Sequence, residues 1–145
     1  MAARPRKVEL FDHITAVVLA KLYEGFPTPI DLSPIEIGAE VAEQVESEEQ
    51  EAFDMGELVH DTVTFLEEQN LLSVGVRAEN TGPIQPFMDV RLTAAGLAIL
   101  GQEATPLAFA GTQTPQSWGA RLRAALATPE TLGAVVRTVL ELAGK

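Results

Sequence analysis

Between Phe53 and Leu100 the spacing of the apolar residues changes twice, and that double change limits the fold more than any other feature of the chain. Phe53, Leu58, Val59, Thr62, Phe65 and Leu66 recur at helical intervals and define one core-facing stripe. After Asn70 the period becomes two. Leu72, Val74 and Val76 alternate with Ser73, Gly75 and Arg77, the pattern of a strand with one buried face. AENTGPIQP is dense in turn residues, and FMDVRL resumes the alternation through Met88, Val90 and Leu92. A β-hairpin with a long tip is therefore expected between two helices. Thr93 caps the second of these, AAGLAILGQ, and Gly101 ends it.

Upstream, Leu10, Phe11, Ile14, Val17, Val18 and Leu22 predict an amphipathic helix over 8–24, with Gly25 as its stop. Pro27, Pro29 and Pro34 then forbid a continuous helix and leave room for a very short strand over 30–32. Ser33-Pro34-Ile35-Glu36 is a capping box with proline at the first helical position, so a second helix should run over 34–45. Ser47 to Gln50 repeats the capping pattern and starts the third helix, with Gly56 as a point where it is expected to break. Downstream, 104–113 reads as a linker or packed loop of small residues. Two helices follow over 115–127 and 129–143, each with Thr-Pro at its start. The fold class expected is mainly α with a small β-hairpin. Phe26 is expected to fasten the first helix to the core.

The two most specific stretches are FLEEQNLLSV and, about twenty residues later, VRLTAAGLAIL. Over residues 8–102 the pattern resembles the winged helix-turn-helix superfamily. The two stretches are similar to the end of the third helix, the wing and the closing helix of PadR-like and MarR-like proteins. The resemblance implies a winged-helix domain over 8–103, with 104–113 joining it to a C-terminal helical extension over 114–145. It also implies DNA binding by default, with the third helix (55–68) in the major groove and the wing on the backbone. The spelling has a physical reading: Leu92 is the last inward residue of its strand, Thr93 caps the helix, and Gly96 permits a close approach.

Charge argues against the default. The net charge is −11, yet it is unevenly spread. Between Leu22 and Val76 there are fourteen Asp and Glu and no Lys or Arg, while the rest of the chain holds ten basic and seven acidic residues. The candidate reading helix offers Asp54, Glu57, Asp61, Glu67 and Glu68, and the helix before it Glu36, Glu40, Glu43 and Glu46. DNA binding depends on cations that neutralise phosphate. Each unit-charge repulsion at 4 Å amounts to about 1 kcal/mol in water and about 4 kcal/mol at an effective dielectric near 20. DNA binding is thus disfavoured, and a protein partner with a basic surface is expected instead, met by Glu40, Glu43, Glu46, Glu49, Asp54, Glu57, Asp61 and Trp118. Two alternatives stay open. One is a regulator that binds DNA through Arg4, Arg6, Lys7, Arg77 and Arg91, and the other an inhibitor that imitates nucleic acid. A solvated face that only keeps the chain soluble is the bland reading of the same residues.

Leu122, Leu126, Leu132, Val135, Val136, Val139 and Leu140 form apolar stripes on the two C-terminal helices. They suit either a homodimer, which is expected here, or the cover of the domain's own core. Trp118 likewise suits a partner contact or docking onto its own domain.

Other activities find little support. There is no cysteine, which removes disulfides, thiolate metal sites and cysteine nucleophiles. Glu57-x-x-His60 has the spacing of one di-iron half-site, but such a bundle needs a second Glu-x-x-His and two more helical carboxylates. No phosphate loop, nucleophile elbow or zinc spacing occurs. No enzyme, cofactor or metal is expected. Glu9, Asp12, His13 and Lys21 interrupt the apolar run that a signal peptide or membrane span would need, so a cytoplasmic protein is expected.

Overall fold

The structure, a computed structural model, describes residues 6–44, 49–77, 86–102, 117–127 and 129–144. These form α1 (Arg6–Gly25), β1 (Ile30–Leu32), α2 (Pro34–Gln44), α3 (Glu49–Glu68), β2 (Leu72–Arg77), β3 (Phe87–Leu92), α4 (Ala94–Gly101), α5 (Trp118–Ala125) and α6 (Pro129–Ala143). The chain is mainly helical with a small antiparallel sheet of three strands in the order β1-β3-β2. The hairpin tip over 78–85 and the linker over 104–113 lie outside the described residues.

α1 is the axis of the molecule. Every residue from Asp12 to Ala20 is buried, and the helix contacts α2, α3, α5, α6 and β3. Over this stretch the helix has no solvent face to keep polar, which suits the unbroken apolar run from Ala16 to Ala20, while its exposed residues Glu9 and Glu24 lie nearer the two ends. The residues of α5 and α6 belong to the same buried cluster: Leu122, Leu132, Val135, Val136 and Val139 are all 2% exposed or less. These stripes cover the chain's own core rather than a partner, so the feature from which a homodimer was expected is used internally.

α2 begins with one half of its capping box, the Ser33 hydroxyl accepting from the Glu36 N–H at 3.3 Å. It then crosses α3 closely: a Cβ added at Gly38 would stand 3.3 Å from both the Gly56 nitrogen and the Met55 Cβ. This crossing corrects the expected break in the third helix. α3 runs unbroken through Gly56, which is buried at the contact. The helical cost of a glycine, about 1 kcal/mol, does not end a helix whose stability comes from tertiary packing.

α3 ends in a left-handed Asn70 (φ 61). The Asn70 N–H donates to the Glu67 carbonyl at 2.9 Å, and the Leu71 N–H reaches back to the Leu66 carbonyl at 3.1 Å. That is a Schellman closure, with Leu66 and Leu71 both fully buried beside it. The same turn receives α4. The Thr93 N–H donates to the Leu71 carbonyl at 3.1 Å. The Thr93 hydroxyl donates to the Asn70 carbonyl at 2.6 Å and accepts from the Gly96 N–H at 2.9 Å. A Cβ on Gly96 would collide with the Leu71 carbonyl oxygen, so the approach that its sequence position suggested is to the junction of α3 and β2.

The inward residues of β3 differ from simple alternation. Phe87, Val90 and Leu92 are buried and Met88 is only half-buried. The cause is an irregularity at Asp89, which takes φ 52 and shifts the β1–β3 register between Ile30↔Val90 and Leu32↔Phe87. The Asp31 carboxylate accepts from the Asp89 N–H at 3.1 Å. Gly75 leaves room for the distortion, since a Cβ there would lie 2.7 Å from the Cβ of Asp89.

α5 starts later than the Thr114-Pro115 signal suggested. Its cap is Ser117, whose hydroxyl accepts from the Ala120 N–H at 3.2 Å. The Trp118 N–H donates to the Gln102 carbonyl at 3.0 Å, tying the end of α4 to the start of α5. Gly119 then lets α5 lie against the Tyr23 ring of α1.

Candidate interaction surface

Packing fixes which sides of α2 and α3 face out. α2 buries Ile37, Gly38, Val41 and Ala42 and exposes Ile35, Glu36, Ala39 and Glu43. α3 buries Met55, Val59, Thr62, Val63 and Leu66, and exposes Glu57, Asp61, Phe65 and Glu68. Steps of four, four and three residues place those last four on one helical face. Three carboxylates and an aromatic ring thus share the outward side of α3.

Phe65 was expected in the core stripe, but it is 38% exposed. Its ring and that of Phe11 of α1 meet in a T-shaped pair, with centroids 5.7 Å apart at 73°, so the ring is packed in part and open in part. The signal that would have placed it is its phase: it lies four residues after Asp61, not in register with Val59 and Val63. Ile35, in the first turn of α2, is the other large exposed hydrophobic residue among those described, at 56%. Sequence reasoning did not single out either one as a surface residue.

The expected acidic residues divide into three groups. Glu43, Glu57 and Asp61 face solvent. Glu40 is half-buried, with its carboxylate 3.6 Å from the Lys21 ammonium, so its charge is partly offset from α1. Glu46 lies outside the described residues, as do the side chains of Glu49 and Asp54 on α3. Of the cations considered for phosphate, Arg91 is exposed on β3. Arg4 and the side chains of Arg6, Lys7 and Arg77 lie outside the described residues.

Trp118 requires a correction. It is 2% exposed, enclosed by its own chain where α5 meets α1 and α4, and presents no surface to a partner.

Elsewhere acidic residues have acquired cations. The Arg123 guanidinium on α5 donates to both carboxylate oxygens of Glu24 at the end of α1, at 2.8 and 2.5 Å. These hydrogen bonds hold the Glu24 carboxyl below its ordinary range and push the Arg123 guanidinium up. His60, between α3 and β3, stacks on Phe87 with centroids 5.2 Å apart at 29°, and its Nδ1 lies 3.5 Å from the Asp61 carboxylate. Its environment is a ring-packing one, and among the described residues no group of three or more His, Cys, Asp or Glu is arranged to hold a metal ion.

No helix among the described residues is long and apolar enough to cross a membrane. The chain matches no protein-family model, no curated protein and no solved structure.

Proposed function

We propose that the chain is a non-enzymatic winged-helix protein that acts through protein contacts, offering the outward side of α2 and α3 to a partner with a basic surface. The element order from α1 to α4 and the sheet order β1-β3-β2 support the winged-helix reading. One observation carries the functional part: Glu57, Asp61 and Glu68 line the exposed face of α3 with no cation among them. In a winged-helix protein that reads DNA, this is the helix that enters the major groove. Here it would bring like charge against phosphate.

Against a basic protein the same charges speed encounter and set orientation, while the exposed part of Phe65 supplies apolar contact at short range. This reading needs no homodimer, because the C-terminal stripes are already covered. A cytoplasmic setting fits the lack of cysteine. The partner class also contains the nucleic-acid-imitating inhibitor, as the case in which the basic surface is itself a DNA-binding one.

The test is titration with a labelled basic helical peptide at low salt and again at high salt. The reading expects salt-sensitive binding that weakens at least about tenfold in a Glu57→Lys/Asp61→Lys variant. Binding that is indifferent to both salt and charge reversal would overturn it.

A further inference from the structure

A second surface, independent of the acidic face, has the opposite chemistry. Phe26 and Pro27, in the turn after α1, face Leu92 of β3 and Ala94, Leu97 and Ala98 of α4 across a groove of about 320 Å³. Ala94 and Ala98 are four residues apart and exposed, so a bare strip of helix forms the floor, with Leu97 and Phe26 half-buried beside it. Arg91 also lines the groove and is its one charged residue. Its side chain is exposed, and no carboxylate among the described residues pairs with it. Lys21 and Arg123, by contrast, are engaged by Glu40 and Glu24. Among the described residues, an arginine without a carboxylate partner thus stands at the edge of an apolar trough, in a chain of net charge −11.

We infer that this groove binds a medium-chain aliphatic monocarboxylate, with the chain lying on Ala94 and Ala98 and the carboxylate on Arg91. The groove is at the small end of ligand-site volumes, large enough to displace about ten waters. That suits an unbranched chain of about eight carbons. Apart from Arg91 the lining is apolar, aliphatic but for Phe26, which favours methylenes over polar atoms. The planar fork of arginine matches a carboxylate bidentately, whereas an alcohol or an amine leaves it unpaired. Repulsion from the acidic helices is screened beyond about 8 Å at physiological salt, so it weakens capture without forbidding it.

The experiment uses the full chain and octanoate at physiological salt, below its micelle-forming concentration, followed by NMR of the methyl groups and by thermal shift. Octanoate is expected to move the resonances of Leu92, Ala94, Leu97 and Ala98 and to raise the melting temperature, while octylamine does neither. Arg91→Gln is expected to weaken octanoate binding about tenfold or more. Ala98→Phe, filling the floor, is expected to abolish it, with circular dichroism confirming that both variants remain folded. Octanoate shifts confined to other parts of the molecule, equal binding of octylamine, or unchanged affinity in a folded Arg91→Gln variant would each overturn the assignment.

Discussion

The seam between α1 and α5 and the outward face of α3 are made of similar residues, and the fold treats them in opposite ways. At the seam, Glu24 is matched by an arginine ninety-nine residues away along the chain, and Leu122 and Trp118 are enclosed. On α3, Glu57, Asp61 and Glu68 face water and Phe65 stays partly exposed. What distinguishes them is neighbours. α1 is surrounded, so each polar or charged group near it is either matched or at a cost. The far side of α3 has no covering element among the described residues, so its charges carry no such requirement. An acidic stretch in a sequence is therefore not one surface. Part of it was absorbed by the fold, and the remainder is the candidate for function.

The comparison can be broken most sharply at the seam. If α5 belongs to the same core as α1, Leu122→Ala should destabilise the whole chain by about 3 kcal/mol in a single cooperative urea transition. A separate early transition for the C-terminal helices, or a midpoint that depends on protein concentration, would contradict that. Next in size is Gly96→Ala, which drives a methyl group into the Leu71 carbonyl and should cost about 2 kcal/mol by the same measurement. Thr93→Ala removes both the cap of α4 and the bond to Asn70, and should cost about 1 kcal/mol.

The smallest stability effect tests the matched charges. Glu24→Gln should cost about 0.5 kcal/mol near neutral pH, since the pair is half exposed and screened by salt. The sign with pH follows from the direction of its shift. The Glu24 carboxyl is more acidic in the folded chain than in the unfolded one, so its contribution is complete above the ordinary carboxylate range. It disappears as pH falls through the folded value. Thermal melts of the two proteins should therefore converge on acidification, and a gap that widens instead would show that the pair is not the cause.

Much of the fold was legible because it rests on local rules. The capping serine at 33, the threonine at 93 and the glycine at 96 each do in the structure what their spacing implied. What was not legible depends on contacts between distant segments. Gly56 reads as a helix breaker until α2 is seen to cross there. The alternation in FMDVRL slips at Asp89, whose left-handed φ goes with a register shift against β1 and whose N–H donates to Asp31 of that strand. Trp118 suited either a partner contact or its own domain, and nothing in its own neighbourhood predicted the ring of Tyr23 beside Gly119 that goes with the second. The candidate surface was legible as charge but not as shape. The sequence shows fourteen carboxylates over 22–76, but only packing separates Glu40, held near Lys21, from Glu57 and Asp61.

The central claim is that the outward face of α3 repels nucleic acid, and titration with a generic DNA duplex at low salt tests it most directly. The full chain should show no binding up to high micromolar concentration. A Glu57→Lys/Asp61→Lys/Glu68→Lys variant, with stability changed by no more than about 0.5 kcal/mol per site, should gain weak, salt-sensitive binding. Tight, salt-sensitive binding by the unmodified chain, with amide shifts concentrated between Met55 and Glu68, would contradict the account.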